Sequence, residues 1–174
     1  SGYIAIDPKD PNIVYLSGTY GDVSRFDRRI SFSQDITPWP AMNFGVEINA
    51  RKYRDPWTPV LLFSPFDKKT LYLGTQYVMK TLDGGLHWET ISPDLTGATP
   101  EKKTDGPATV ENAKQLGYGV VYTIAPSALN GNLIWAGSDT GLIHLTRDGG
   151  KNWTDVTPHG VGSWSKISLI EASH

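Results

Sequence analysis

An eight-residue pattern occurs twice in the chain and decides how the rest is interpreted. The first copy is Thr81-Leu82-Asp83-Gly84-Gly85-Leu86-His87-Trp88, and the second is Thr146-Arg147-Asp148-Gly149-Gly150-Lys151-Asn152-Trp153. The two aspartates lie 65 residues apart (148 − 83). An internal repeat of this kind usually means that one structural unit is used several times.

Strand-like runs flank both copies of the pattern. Residues 77–80 and 88–91 enclose the first copy, and residues 142–145 and 153–156 enclose the second. Asp-Gly between such runs predicts a β-hairpin, because the turn needs positive φ angles that glycine adopts without steric cost. The tryptophan offers a large apolar face for packing against a neighbouring unit. The pattern therefore predicts a hairpin turn that is held by its own side chains.

The pattern T-x-D-G-G-x-x-W resembles the Asp-box, or bacterial neuraminidase repeat. This motif recurs in sortilin-like and glycosyl-hydrolase-like β-propellers, including sialidases and xyloglucanases. The sequence of the repeats is most similar to that of large bacterial members. The resemblance implies that each box joins the two outer strands of a blade, away from the ligand face. It therefore implies a structural role for the box residues Thr81, Asp83, Gly85, Trp88, Thr146, Asp148, Gly150 and Trp153.

The similarity between repeats extends upstream of each box, where a strand, a turn marked by proline and a second strand recur. Together with the box hairpin, this gives four strands per unit and predicts an all-β fold, a partial β-propeller. We expect about three four-stranded blades, at residues 1–38, 58–95 and 118–158, with insertions at 39–57 and 96–117. Residues 165–174 predict the first strand of a fourth blade.

The first unit has no intact box. Residues 24–29 stand where a box belongs, but they contain no glycine, so we expect a degenerate turn there. Known propellers close rings of typically four to eight blades. We therefore expect the chain to be part of a longer protein that supplies the remaining blades. The alternative is self-association, in which several copies complete a ring through open blade edges.

The insertion at 39–57 holds the predicted ligand-binding residues, because loops that exceed the needs of the fold are often functional. Tyr53 and Trp57 can stack on sugar rings, Arg54 can bind a carboxylate with two hydrogen bonds, and Asp55 can serve as an acid, a base or an acceptor. The alternative is a loop pinned by its own aromatic residues, with Arg54 and Asp55 in structural polar pairs.

The insertion at 96–117 contains a short predicted helix. Residues 109–116 fit a helix that begins at a Thr109 cap and stops at Gly117. We expect it to cover a blade edge or one mouth of the channel.

Catalytic candidates are present but do not form a recognisable set. Glycoside hydrolysis needs two carboxylates about 5–9.5 Å apart, and the acidic candidates outside the boxes are Asp22, Glu47, Asp55, Asp94, Asp139 and Glu171. A tight turn between blade strands is the expected place of Asp139. A sialidase site would need an arginine cluster beside a tyrosine, here Arg25, Arg51, Arg54 and Tyr53. Those arginines match no family motif, so we assign no catalytic residue.

Composition narrows the remaining classes of function. The chain has no cysteine, which removes disulfides and thiol chemistry. The histidines show no metal-ligand spacing, so we predict no metal and no cofactor; they are His87, His144, His159 and His174. A net charge of −2 gives no nucleic-acid footprint, and no apolar run approaches the ~20 residues of a membrane span. Resemblance to secreted and periplasmic propellers favours an extracytoplasmic location.

These observations favour a binding or scaffolding role over catalysis. We expect a segment of a larger Asp-box propeller that recognises a peptide or a carbohydrate. One alternative is part of a xyloglucanase-like glycoside hydrolase, and a second is a purely structural segment with no site of its own. Two carboxylates in a cleft beside Tyr53 or Trp57 would favour the hydrolase.

Overall fold

Three four-stranded antiparallel sheets form the structure, a computed structural model that describes residues 2–39, 46–101, 108–109 and 111–173. Blade 1 contains β1 (Ile4–Ile6), β2 (Ile13–Ser17), β3 (Val23–Asp27) and β4 (Phe32–Asp35). Blade 2 contains β5 (Leu61–Phe63), β6 (Leu71–Gly74), β7 (Val78–Thr81) and β8 (Glu89–Thr90). Blade 3 contains β9 (Val121–Pro126), β10 (Ile134–Ser138), β11 (Ile143–Thr146) and β12 (Thr154–Asp155). The predicted all-β fold of three propeller blades is confirmed.

The order of strands gives the molecule two functionally different ends. In each sheet the strands pair in sequence order, so successive turns alternate between the two ends. The connections between blades and the turns between second and third strands lie at one end, which we call the loop face. The remaining turns, including both boxes, lie at the opposite end, which we call the box face.

The hydrophobic core lies between blades, because each sheet has two apolar faces. One cluster joins blades 1 and 2 and includes Tyr15, Val23, Leu73 and Met79. A second joins blades 2 and 3, with Tyr72, Val78, Val121 and Ile134 among its members. A third, smaller cluster packs the connections together at the loop face, and it contains Ile48, Ala113, Tyr118 and Val120.

Each box is a turn closed by its threonine and aspartate. In the first box, Thr81 Oγ1 donates to Asp83 Oδ1 at 2.8 Å and accepts from Gly85 N at 3.0 Å. Asp83 Oδ1 also accepts from His87 N at 3.0 Å. Thr146, Asp148, Gly150 and Asn152 repeat these contacts within 0.1 Å in the second box. Both aspartates therefore hold turns.

Both boxes also fasten their blade to the preceding one. Trp88 Nε1 donates to the carbonyl oxygen of Ile36 at 2.7 Å, and Trp153 Nε1 donates to that of Ile91 at 2.8 Å. The second glycine of each box, Gly85 or Gly150, lies against the same isoleucine, where a Cβ would come within 2.9 Å of its side chain. We call this pair of contacts the box lock.

The turn of blade 1 has the same length as a box but different contacts. The ladder pairs Arg25 with Gln34, as it pairs Lys80 with Glu89, which places Ile30 at the position of Gly85 and Ser33 at that of Trp88. Asp27 holds this turn by accepting from the backbone and guanidinium of Arg29. The expected degenerate turn is present, and blade 1 has no tryptophan for a box lock.

The end of the described chain lies beside blade 3 without forming a strand. Ile167 N donates to Ser138 O at 3.0 Å, just as Val121 N donates to Thr75 O at 2.6 Å. Residues 165–173 thus occupy the place where a next inner strand would start, but they pair with no second strand among the described residues. Their assignment to a fourth blade stays a prediction.

The helix predicted at 109–116 is shorter than expected. It spans Ala113–Leu116 and ends at Gly117, whose φ of 66° gives the left-handed cap that was predicted. The helix begins at Ala113, later than expected, but the predicted cap residue contacts its start: Thr109 O accepts from Ala113 N at 2.9 Å, and Asn112 Oδ1 accepts from Thr109 N at 2.7 Å. The described residues contain no helix long and apolar enough to cross a membrane.

Candidate functional site

The loop face gathers most of the polar and aromatic candidates, because both insertions and the turns between second and third strands end there. Three of the six acidic candidates surround Arg54: Asp94 contacts it, Asp55 follows it in the chain, and Asp139 lies within the field of its charge. The other three, Asp22, Glu47 and Glu171, are exposed.

Arg54 is a buried clamp between the two insertions, with only 4% of its surface exposed. Its backbone N donates to Gln76 Oε1 at 2.8 Å. Its guanidinium donates to Thr96 Oγ1 at 3.1 Å, to Ala98 O at 2.6 Å and to a carboxylate oxygen of Asp94. Burial lowers the pKa of Arg54 from its ordinary value. These contacts give Arg54 a structural role, and a ligand-binding role for it stays a prediction.

Asp55 sits at the edge of a small cavity. Its backbone N donates to the hydroxyl of the buried Tyr118 at 2.8 Å, and its carboxylate lies against Gly21, whose φ is +84°. Burial raises the pKa of the Tyr118 hydroxyl, so this group stays protonated and can also donate. The backbone of Asp55 is therefore held in place at the loop face.

The cavity beside Asp55 has a volume of about 20 Å³, which is the space of roughly one water molecule. It is lined by Gly21, Thr37, Pro38, Trp39, Tyr53, Asp55, Pro56, Pro59, Leu73 and Thr75. A sugar ring or peptide side chain does not fit inside it. A ligand at this place would lie on the surface above it.

The insertion that lines this cavity carries exposed aromatic rings. Trp39, which lines the cavity, is 46% exposed, and Trp57, further along the same insertion, is 51% exposed. The Lys52 ammonium lies 3.7 Å from the centroid of the Trp39 ring and 5.4 Å from that of Tyr53. Tyr53 is half-buried and meets Tyr77 edge to face at 6.2 Å. This part of the loop face thus combines aromatic rings with the ammonium of Lys52 and the carboxylate of Asp55.

Asp139 is a half-buried carboxyl in the turn between β10 and β11, where the sequence predicted it. Its Oδ1 accepts from Val120 N at 2.8 Å. Burial raises the pKa of Asp139 from 3.8 to about 6, and the charges of Arg54 and Lys166 oppose this only in part. This shift could not be predicted from the sequence, because Asp139 meets its backbone partner, Val120, and the charge of Arg54 only in the folded chain.

The arginine cluster of the sialidase hypothesis does not assemble. Arg25 lies near the box face, beside Tyr15 and Gly84, whereas Arg54 is buried at the loop face. Arg51 is at the loop face as well, but its guanidinium lies 5.9 Å above the Tyr118 ring.

Neither box aspartate faces the candidate site. Hydrogen bonds from the His87 backbone and side chain and from Thr81 hold the pKa of Asp83 well below its usual range. The equivalent bonds from Asn152 and Thr146 lower the pKa of Asp148 to about 2. Both groups stay ionised and engaged as acceptors in their turns.

The three histidines in the described ranges lie at separate places in the fold. His87 Nδ1 contacts Asp83 Oδ2 at 2.6 Å, and His144 lies on β11 with its Nδ1 buried and without a hydrogen-bond partner among the described residues. His159 is exposed, and His174 lies outside the described residues. No group of three or more metal-ligating side chains occurs in the part of the chain that the structure describes.

Comparison with known proteins places this architecture among large propellers. No family model matches the chain. A probable oligoxyloglucan-reducing end-specific xyloglucanase of Neosartorya fischeri is 27% identical over 178 residues, which cover 96% of this chain but 19% of that protein. The chain therefore spans about a fifth of the length of this curated relative.

Two solved structures have a similar fold. The GH74 xyloglucanase of Xanthomonas campestris matches 91% of this chain and 24% of its own with a TM-score of 0.58 at 22% identity. YCF48 bound to D1 peptide matches 93% of this chain and 41% of its own with a TM-score of 0.52 at 15% identity. With its two boxes and three blades, the chain is an Asp-box β-propeller segment like those of the GH74 xyloglucanases and YCF48.

Proposed function

We propose that this chain is the ligand-binding segment of a larger Asp-box propeller and that its loop face recognises an extended ligand, a peptide or a glycan. The observation that carries this proposal is that the insertion holding Asp55 exposes two aromatic rings, Trp39 and Trp57, and that Trp39 lines the same cavity as Asp55. Flat aromatic rings provide apolar contact area at low entropic cost. Lys52 and Asp55 would supply the polar contacts that orient the ligand.

The rigidity of this surface supports a binding role. Arg54 joins the two insertions through buried hydrogen bonds, and Tyr118 fixes the backbone at Asp55. A surface that is ordered before binding loses little conformational entropy when a ligand arrives. The cavity of about 20 Å³ argues against a buried ligand and favours a chain-like ligand that lies across the surface.

The relatives lend support to both ligand classes. Xyloglucanases, as named, act on a polysaccharide, and the YCF48 structure holds a peptide. Because the chain covers only part of each protein, their ligands are suggestions for this one. An extracytoplasmic location belongs to the same proposal.

Hydrolysis is the second candidate function, and one observation favours it. Asp139 has a pKa raised to about 6 by burial, which suits a carboxylic acid that gives up a proton near neutral pH. Asp55 and Asp94 lie on the same face and provide candidates for the second carboxylate. Binding is preferred, because Asp94 is engaged with Arg54 and Asp139 with the Val120 backbone.

One titration tests both candidates. The full chain is mixed with xyloglucan oligosaccharides or with a library of unstructured peptides, and binding is followed by tryptophan fluorescence. Trp57→Ala should weaken binding by about tenfold, since truncating a tryptophan that anchors an interface costs more than about 1 kcal/mol. Phe66→Ala is the matched control, because Phe66 is 53% exposed on the box face and should leave binding unchanged.

The outcome separates the candidates. Binding without release of reducing ends supports recognition, whereas release that Asp139→Asn abolishes would replace recognition by hydrolysis. Equal losses in Trp57→Ala and Phe66→Ala, or no binding to either probe, would contradict a ligand site at the loop face.

A further inference from the structure

The flank of blade 3 that faces away from blade 2 repeats the two surfaces that already receive a box. Ile36 and Ile91 follow the fourth strands of blades 1 and 2, and Val156 follows that of blade 3. All three donate their N–H to the third strand of their own blade, at 2.9 Å for Ile36 and Ile91 and 2.8 Å for Val156. Their carbonyl groups therefore have the same orientation relative to the sheet.

The carbonyls of Ile36 and Ile91 each accept a tryptophan Nε1 from the following blade. No donor from the described residues meets the carbonyl oxygen of Val156. The inner part of this flank also repeats the contact between blades 2 and 3. Ile167 N donates to Ser138 O of blade 3, just as Val121 N donates to Thr75 O of blade 2. Ile167 also packs against Gly137, where a Cβ would come within 2.5 Å of its side chain.

We propose that the Val156 flank is a docking site for an Asp-box hairpin with the sequence G-G-x-x-W, and that its carbonyl accepts the indole N–H of that hairpin. The occupant is specified by the two existing interfaces. A glycine is needed where Gly85 and Gly150 approach an isoleucine, at φ values of +94° and +102°. A tryptophan is needed to reach the carbonyl from the adjacent strand.

Blade 1 of a second copy does not meet this specification. At the position of the second box glycine it has Ile30, and at the position of the tryptophan it has Ser33. Arg28 and Arg29 stand where Asp83 and Gly84 stand in blade 2. Head-to-tail association of identical chains would therefore lack both parts of the box lock, which argues against the self-assembled ring.

The test extends the full chain after His174 with a copy of residues 65–95, which carries the second to fourth strands of blade 2 and an intact box. The added tryptophan should donate to Val156, so its indole proton should exchange with solvent about tenfold or more slowly than that of the exposed Trp39. The matched control has phenylalanine in place of the copied tryptophan and should show a lower melting temperature than the extended chain.

A second measurement uses the unmodified chain. In sedimentation velocity it should remain monomeric at concentrations where the extended chain is folded. Fast exchange of the added indole, or equal melting temperatures for the extended chain and its control, would overturn the docking site. Dimerisation of the unmodified chain that is lost in Val156→Lys, which puts a charge on the flank and keeps the backbone N–H to Ile143, would overturn the requirement for a box, because a second copy would then fill the flank.

Discussion

Blade 1 and blades 2 and 3 share strand order, register and turn length, yet they are joined to their neighbours in different ways. The turns of blades 2 and 3 carry a glycine and a tryptophan that reach Ile36 and Ile91 of the preceding blade. The turn of blade 1 is held by contacts within its own blade, in which Asp27 and Asp10 bind Arg29 and Asn12 O accepts from Arg28 N. The hairpin is therefore a general feature of the fold, and the box adds a contact between blades.

The largest expected effect comes from the second glycine of the box. Gly85→Ala adds a Cβ at a φ of +94° and within 2.5 Å of the Ile36 side chain. Backbone strain of about 1–2 kcal/mol and overpacking of about 1–3 kcal/mol should together lower the free energy of unfolding by roughly 2–5 kcal/mol. Urea denaturation measures this change.

A matched glycine isolates the interblade part of that effect. Gly160 has a φ of +95°, but no atom lies within 4 Å of its would-be Cβ. Gly160→Ala should therefore carry the strain alone and lower the free energy of unfolding by about 1–2 kcal/mol. Equal losses in the two variants would mean that Gly85 is needed only for its backbone conformation.

Blades 2 and 3 also differ from each other at the loop face, and a smaller effect on stability is expected there. In each blade, the turn between the second and third strands accepts a backbone N–H from the connection that precedes the blade. Blade 2 uses the neutral Gln76, which accepts from Arg54 N, and blade 3 uses Asp139, which accepts from Val120 N, both at 2.8 Å. Asp139→Asn gives blade 3 the chemistry of blade 2. The raised pKa of Asp139, about 6 against 3.8, predicts how stability changes with pH.

Because the folded chain holds a proton that the unfolded chain has released, the stability contributed by Asp139 is present below about pH 4 and is lost as the pH rises through 6. At pH 7, Asp139→Asn should raise the free energy of unfolding by about 1 kcal/mol, a value reduced for partial exposure. Near pH 4 the variant should match the unmodified chain. An equal gain at both pH values, or the same pattern in the exposed control Asp22→Asn, would contradict this account.

The sequence could predict the blades because their signals are local. Asp-Gly-Gly turns, alternating strands and the failed box at residues 24–29 all depend on neighbours along the chain. It could not predict that Trp88 reaches the carbonyl of Ile36, since this contact joins residues 52 positions apart. Structural polar pairs for Arg54 were only the alternative prediction, because its partners Thr96 and Ala98 belong to the other insertion.

The candidate site was predicted less completely than the fold. Tyr53, Asp55 and Trp57 lie in the insertion that was predicted to hold the site. Gln76 and Tyr118, which bind the backbone of that insertion, belong to no recognisable motif. Their roles follow from the meeting of connections at the loop face, which requires the arrangement of blades to be known.

Hydrogen exchange of the indole N–H groups tests most directly whether the box tryptophans bind the preceding blade. NMR spectra of the full chain can follow each of the 6 tryptophans separately after transfer to deuterated water. Slow exchange is expected for Trp88 and Trp153, whose N–H groups donate to Ile36 and Ile91, and fast exchange for the exposed Trp39. Exchange of Trp88 and Trp153 at the rate of Trp39 would contradict binding to the preceding blade.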